Sequence, residues 1–294
     1  VTVGAAEANF NSVQTVAGPG DEVVVMLPNY MQIWGVAHNS GMQVRPFHLI
    51  EEQGWAPDLD ELNQVVSART KLIAVCNPNN PTGYILTEAE MDGIVTAAER
   101  VGAWLLADEV YSGAERLTDD QTPSFWGRYD KVLAIGSMSK AYALPGLRIG
   151  WVVGPKDTVD QVWARHEYTT IDTTMLANKL ATVALSPEVR PRIIQRVREY
   201  VRRGFPVLEE WLASHPGTFS LIPPQAAAVA FVRYHLEVNS TELMERLIRE
   251  KSVLIVPGDH FGLDHFLRIS FGLPHDYVRT ALSRIHDLFI ELQG

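Results

Sequence analysis

Lys140 closes the stretch Ser137-Met138-Ser139-Lys140, and Arg148 follows eight residues later within Gly146-Leu147-Arg148-Ile149-Gly150-Trp151. A lysine amine condenses with an aldehyde to a Schiff base once burial or a neighbouring cation lowers its pKa. The serine hydroxyls and the planar guanidinium are donors suited to a phosphate. The grouping therefore predicts a cofactor that carries both an aldehyde and a phosphate. Gly4-Ala5-Ala6 stands where a strand gives way to a helix. Small residues there let backbone N–H groups approach an anion, and the helix dipole adds to the attraction. Read alone, that segment is more simply a tight strand–helix turn.

Three further segments have residues with chemical use. Asp108 follows the apolar run Leu105-Leu106-Ala107, at the carboxyl end of an expected strand, where ligands bind in open α/β sheets. A buried carboxylate needs a cationic partner, and a pyridinium N–H would serve; a helix cap or a metal ligand are the plainer readings. Glu109 is expected to point the other way and to be structural. The run Asn77-Pro78-Asn79-Asn80-Pro81-Thr82-Gly83 is rich in turn formers. Its functional reading is an Asn80 amide and the Tyr111 hydroxyl together on a phenolic oxygen. Tyr30 stands at another strand end and could stack on a ring, or be ordinary core.

The elements that must hold these residues follow from periodicity. Helices are expected over 5–16, 31–39, 58–66 and 87–101, the last with the capping-box pattern Thr87-x-x-Glu90. Strands are expected over 22–27, 43–48, 72–76, 104–107 and 131–136. Such alternation implies α/β architecture, a mostly parallel sheet covered on both faces. The second half differs. It reads as an arginine-rich helical stretch over 187–213 interrupted near Gly204 and Pro206, short strands over 219–222, 229–232, 253–256 and 266–271, and helices over 239–251 and 275–292. This predicts a large domain over 1–180 and a smaller α+β domain over 181–294.

The 294 residues are 46% hydrophobic and 20% charged, with a net charge of −10. That acidity argues against nucleic acid as the main partner, and the arginines at 190, 192, 196, 198, 202 and 203 are expected on a solvated helix face. No apolar run reaches membrane-spanning length. One cysteine, Cys76, permits no internal disulfide and fits a reducing, cytoplasmic setting. Val1 begins without a methionine inside what reads as a strand end, so a preceding segment is expected.

Together, Asn80-Pro81-Thr82-Gly83, Asp108-Glu109-Val110-Tyr111 and Ser137-Met138-Ser139-Lys140 through Gly150 resemble the class I/II aminotransferases, pyridoxal 5'-phosphate enzymes of fold type I. The resemblance spans nearly the whole chain and implies a seven-stranded sheet sandwiched by helices. It implies Lys140 as the Schiff-base lysine and proton shuttle, and Asp108 on the pyridine nitrogen. Asn80 and Tyr111 would bind the phenolic oxygen, and Tyr30 would stack on the ring. Gly4, Ala5, Ala6, Ser137, Ser139 and Arg148 would hold the phosphate, and Arg268 would bind the substrate α-carboxylate beside Asn80. The expected reaction moves an amino group between an L-amino acid and a 2-oxo acid, in a homodimer with its site between subunits and without a metal.

Alternatives within the fold are a β-lyase, a decarboxylase or a cyclase, because the cofactor leaves reaction choice to bond orientation. Another is the sensor domain of an aminotransferase-like transcription regulator. Ser137-x-x-Lys140 also matches a serine β-lactamase pattern, but Ser-Asp-Asn and Lys-Thr-Gly are absent. No phosphate loop ending Gly-Lys-Ser/Thr occurs either. Spacing leaves the substrate side-chain pocket open, with Trp34, Arg116, Tyr168 and Thr174 as candidate lining groups. The alanines of Pro224-Gln225-Ala226-Ala227-Ala228 are expected to narrow it.

Overall fold

The computed structural model describes residues 1–293. One sheet contains β1 (Glu22–Leu27), β2 (Gln43–Ile50), β3 (Ala56–Pro57), β4 (Thr70–Cys76), β5 (Trp104–Asp108), β6 (Val132–Ser137) and β7 (Gly150–Val153). Its order is β3-β2-β1-β4-β5-β6-β7. The five inner strands run parallel, while β3 and β7 pair antiparallel at the edges. Every residue of β1 and β6 is buried, as a parallel sheet covered on both faces requires.

Helices α1 (Ala5–Val16) and α2 (Gln32–Asn39) cover one face, through Ala8, Val13, Ile33 and Ala37. On the other face, α3 (Leu59–Val65) and α4 (Glu88–Val101) bring Leu62, Met91 and Ile94. The capping box at Thr87 forms as expected: its hydroxyl accepts from Glu90 N while the Glu90 carboxylate accepts from Thr87 N. Three elements between Gly150 and Pro187 carry no clear periodic signal: β7, α5 (Lys156–His166) and α6 (Met175–Ala184). Much of the apolar surface of α6 is exposed, so its sequence does not show the one-sided pattern of a core helix.

The second half contains α7 (Arg190–Ala213), α8 (Ser240–Lys251) and α9 (His275–Gln293) around a four-stranded sheet. That sheet comprises β8 (Phe219–Ser220), β9 (Val229–Tyr234), β10 (Val256–Pro257) and β11 (Phe266–Ser270), ordered β10-β11-β9-β8 and antiparallel throughout. The strand expected over 253–256 shrinks to two residues. The expected break near Gly204 and Pro206 does not occur, since α7 runs unbroken through both. A proline inside a helix costs about 3 kcal/mol. Here it is offset by a long buried face of Ile194, Val197, Val201, Phe205 and Leu208. Gly204 is required by packing, because a Cβ there would stand 2.1 Å from the Phe271 carbonyl oxygen.

The arginines of α7 are not all solvated. Arg198 is buried against Glu115, Arg202 donates to the Arg116 and Thr118 carbonyls, and Arg190 donates to the Tyr142 hydroxyl. They fasten α7 to Tyr142 and, with a bond from Arg190 to Gln121, to the stretch around residues 115–122. Among the described residues, no helix is long and apolar enough to cross a membrane.

Candidate active site

The carboxyl ends of β1, β4, β5 and β6 converge beside the first turn of α1, as the reversal of strand order between β1 and β4 predicts. They enclose a cleft of about 280 Å³. Ala5, Ala6, Tyr30, Asn80, Asp108, Tyr111, Ser137, Ser139, Lys140, Arg148 and Arg268 all line it. Of the site residues expected from sequence, only Gly4 is not itself a lining group. It lies beneath Arg148: a Cβ at Gly4 would stand 2.5 Å from Arg148 Nη2, and its φ of 80° is a second reason for glycine.

Asp108 ends β5 and is buried at the floor of the cleft. Its Oδ2 accepts from Asn9 Nδ2 at 2.9 Å and its Oδ1 from Val110 N at 3.3 Å. Burial pushes its pKa up, and the Asn9 and Val110 donors and the Lys140 charge oppose that rise. Lys140 has the reverse balance. Desolvation and the nearby Arg268 and Arg148 charges hold its amine below the ordinary lysine range, against the pull of Asp108. Its side chain is reachable from the open cleft, so water moderates the effect. Tyr111 is buried beside it, its ring centroid 5.8 Å from Lys140 Nζ, and burial raises its hydroxyl pKa.

Arg148 sits at φ 53° after a short helical turn and donates to Pro145 O at 2.8 Å and to Ser139 Oγ at 3.3 Å. Ser139 N donates to Ser137 Oγ, whose hydroxyl meets Ile149 O. Arg268 reaches the cleft from β11. Its Nη1 donates to Asn80 Oδ1 at 3.0 Å, while its buried Nε has no partner. Burial lowers the Arg268 pKa. No carboxylate pairs with Lys140, Arg148 or Arg268 among the described residues, whereas the cleft offers one carboxylate, Asp108. Three cations facing one carboxylate suit a ligand set with a phosphate and a carboxylate. The orphaned Arg268 Nε–H is where one such anion fits, and the missing Cβ at Gly4 lets the Arg148 guanidinium lie close to the start of α1 for the other.

Sequence reasoning missed Asn9, Gln32 and Cys76 as lining groups. Asn9 meets Asp108 across 99 positions of chain, and no local pattern announces such a contact. Its place one helical turn after the glycine–alanine turn was the available signal. The proposed side-chain lining groups are corrected. Trp34, on α2, is half-buried against the core on that face of the sheet, and Arg116 lies over the Phe205 ring and donates to Pro224 O. Thr174 caps α6, and Tyr168 projects outward. The alanine turn at 224–228 instead packs on Gly83, whose carbonyl accepts from Gln225 N and Ala226 N. Glu109 faces a different cavity, accepting from Ser124 Oγ and Phe125 N, and its pKa is raised to about 7, chiefly by burial.

The family description "Aminotransferase class I and II" matches residues 1–285. The chain belongs to this family. Among curated relatives, it is 34% identical to capreomycidine synthase of Streptomyces vinaceus, over 97% of this chain and 73% of that protein. It is 29% identical to the aspartate/prephenate aminotransferase of Thermus thermophilus, again over 97% and 73%. Among solved structures, a PLP-dependent aminotransferase from Streptococcus suis superposes with a TM-score of 0.91 at 31% identity, covering 99% of this chain and 76% of that one. This aminotransferase is thus an enzyme of the pyridoxal-phosphate-dependent class, with its fold-type I sheet intact.

Proposed function

We propose that the cleft binds pyridoxal 5'-phosphate at Lys140 and moves an amino group between an L-amino acid and a 2-oxo acid. The observation that carries this reading is the trio of unpaired cations, Lys140, Arg148 and Arg268, around one buried carboxylate. Arg148, Ser137, Ser139 and the N–H groups following Gly4 hold the phosphate at the start of α1. Asp108 keeps a proton on the ring nitrogen, oriented by Asn9. Asn80 and Tyr111 donate to the phenolic oxygen, and Tyr30 covers the ring from the open side. Arg268 binds the α-carboxylate through Nε and a terminal nitrogen, a bidentate fork that fixes which substrate bond stands across the ring.

When bound, the cofactor supplies the aldehyde that takes up the substrate amine and the ring that accepts the electron pair left by the α-proton. Lys140 Nζ, which faces the cleft, would take that proton. Desolvation and the neighbouring Arg268 and Arg148 charges favour its neutral, proton-accepting form.

The protein acts as a cytoplasmic homodimer on this reading. What supports the dimer is an exposed apolar face of Tyr168, Ile171, Met175, Leu176, Leu180 and Val183 on α6 and the segment before it. Contiguous patches of this kind mark interaction surfaces. A single, buried cysteine fits a reducing compartment.

The test is a visible absorbance spectrum with pyridoxal phosphate before and after a panel of amino acids. Loss of the lysine-linked cofactor band, reversed by a 2-oxo acid, is the expected outcome, with Lys140→Ala abolishing both the band and 2-oxo acid formation. Wild-type turnover in Lys140→Ala would sink the assignment. A band that no amino acid discharges would move the reading toward a synthase-type reaction, which the identity to capreomycidine synthase favours.

A further inference from the structure

Glu7 does not line the cleft, although Ala5, Ala6 and Asn9 around it do. Its side chain is buried, at 8% exposure, and so is that of His166, at 2%. Glu7 Oε2 accepts from Val3 N at 2.7 Å. Its Oε1 accepts from Thr170 Oγ1 at 2.7 Å and from the Thr169 hydroxyl, and stands 3.0 Å from His166 Nδ1. One carboxylate thus joins the residue before Gly4 to a segment about 160 positions away in the chain. Burial alone would raise its pKa; the Thr169, Thr170, Val3 and His166 contacts overcome this and hold it below the usual carboxylate range.

The other end of the same turn is also tied. Thr2 and Gly150 exchange two backbone hydrogen bonds of 2.9 Å, which brings Arg148 against Gly4. The Gly4–Ala6 backbone is therefore held between β7 and the segment after α5. That segment is under strain. The N–H groups of Thr169, Thr170 and Ile171 all turn back to the His166 carbonyl, and Ile171, a β-branched residue, sits at φ 69°. Such a conformation persists only where surrounding contacts over-determine it. Glu7 holds the His166, Thr169 and Thr170 side chains that lead into Ile171, and the segment runs into the exposed apolar face at Tyr168 to Val183.

We propose that Glu7 is a positioning residue that locks the Gly4–Ala6 backbone to residues 166–171, so that the cradle's affinity for a phosphate monoester depends on that segment. This rests on the reading that the cradle takes the cofactor phosphate. Backbone N–H groups stabilise an anion in proportion to how well they are pre-aimed, because reorienting them consumes binding energy. By linkage, whatever orders residues 168–183, a second subunit included, tightens phosphate binding, and phosphate binding favours that order in return.

The experiment compares dissociation constants for pyridoxal 5'-phosphate and for phosphate-free pyridoxal, by visible absorbance titration, in wild type, Glu7→Gln and Thr170→Val. Glu7→Gln keeps the size of the side chain but replaces a charged acceptor of several hydrogen bonds by a neutral amide, so that the Thr169 and Thr170 hydroxyls and His166 lose their shared anionic partner. It is expected to weaken the phosphorylated form about tenfold and pyridoxal less than about twofold. Thr170→Val should shift the same ratio by about two- to threefold. Equal weakening of both forms would mean a general loss of structure and overturns the proposal. So does an unchanged ratio, and so does tighter phosphate binding, which would show that the Glu7 charge simply repels the anion. A wild type with no preference for the phosphorylated form removes the cradle reading itself, and the proposal with it.

Discussion

Two arginines, in two regions of the molecule, meet opposite fates. At the contact between α7 and the stretch around 115–122, Arg198 is spent entirely on the protein. Its Nε and Nη2 bond Glu115, Nη2 also reaches the Asp120 carbonyl, and Nη1 donates to the Asp119 carbonyl. Glu115 in turn accepts from Gly113 N, Thr122 N and the Thr122 hydroxyl at 2.8 Å each. Burial would raise the Glu115 pKa, but these donors hold it low. In the cleft, Arg268 makes one hydrogen bond and leaves its buried Nε open. A buried charge whose every nitrogen is engaged is structure. A buried charge with donors left over is paid for elsewhere in the fold and is available to a ligand.

The contrast can be broken most forcefully at Glu115. Glu115→Ala leaves Arg198 buried and uncompensated, and unfolding should become easier by about 3–5 kcal/mol. Chemical denaturation checks this. A loss below about 1 kcal/mol would mean that water reaches Arg198 and that the contact is not a closed unit.

Arg268→Ala should do the opposite: little change in melting temperature, and a loss of about 100-fold in kcat/KM for amino acids. Discrimination between an amino acid and its decarboxylated amine should collapse. A melting temperature that falls as far as in Glu115→Ala would erase the distinction between the two arginines.

Glu109 sharpens the comparison as an intermediate case, hydrogen-bonded but without a cationic partner. Its folded pKa of about 7 lies above the ordinary value of 4.5. The folded state therefore binds the proton more tightly, and Glu109 costs stability progressively as pH rises from about 4.5 to about 7. Glu109→Gln keeps the acceptor and removes the charge. It should raise stability at pH 8 by about 1–3 kcal/mol and change little at pH 4. A gain that is equal at both pH values would show that Glu109 is not titrating in this window.

Much of the cleft was legible before any coordinates. Asp108, Asn80, Tyr30 and Ser137 stand at or just beyond strand ends, and a parallel sheet gathers such ends along one edge whatever the details of packing. Lys140 and Arg148 are close in sequence and joined by a short turn, so their proximity is local. Asn9 was not legible, because its bond to Asp108 depends on how α1 lies over the sheet. Nor was the Arg198–Glu115 pair: six arginines on one helix read as a solvated face until a loop is laid across them. Pro206 misled for the same reason, since its local cost is visible in sequence and the burial that offsets it is not.

Read without coordinates, the chain already dictates alternating helices and strands, the change of character in its second half and the types of group at the strand ends. Those properties follow from side-chain periodicity and from backbone preferences acting over a few residues. Packing settles the rest. It brings Arg268 from β11 onto Asn80, 188 positions away, closes Glu115 around Arg198, and joins Glu7 to His166. Each of these is a contact between charged or polar groups withdrawn from water. Its strength depends on desolvation by neighbours distant in the chain, a quantity that no short stretch of sequence contains.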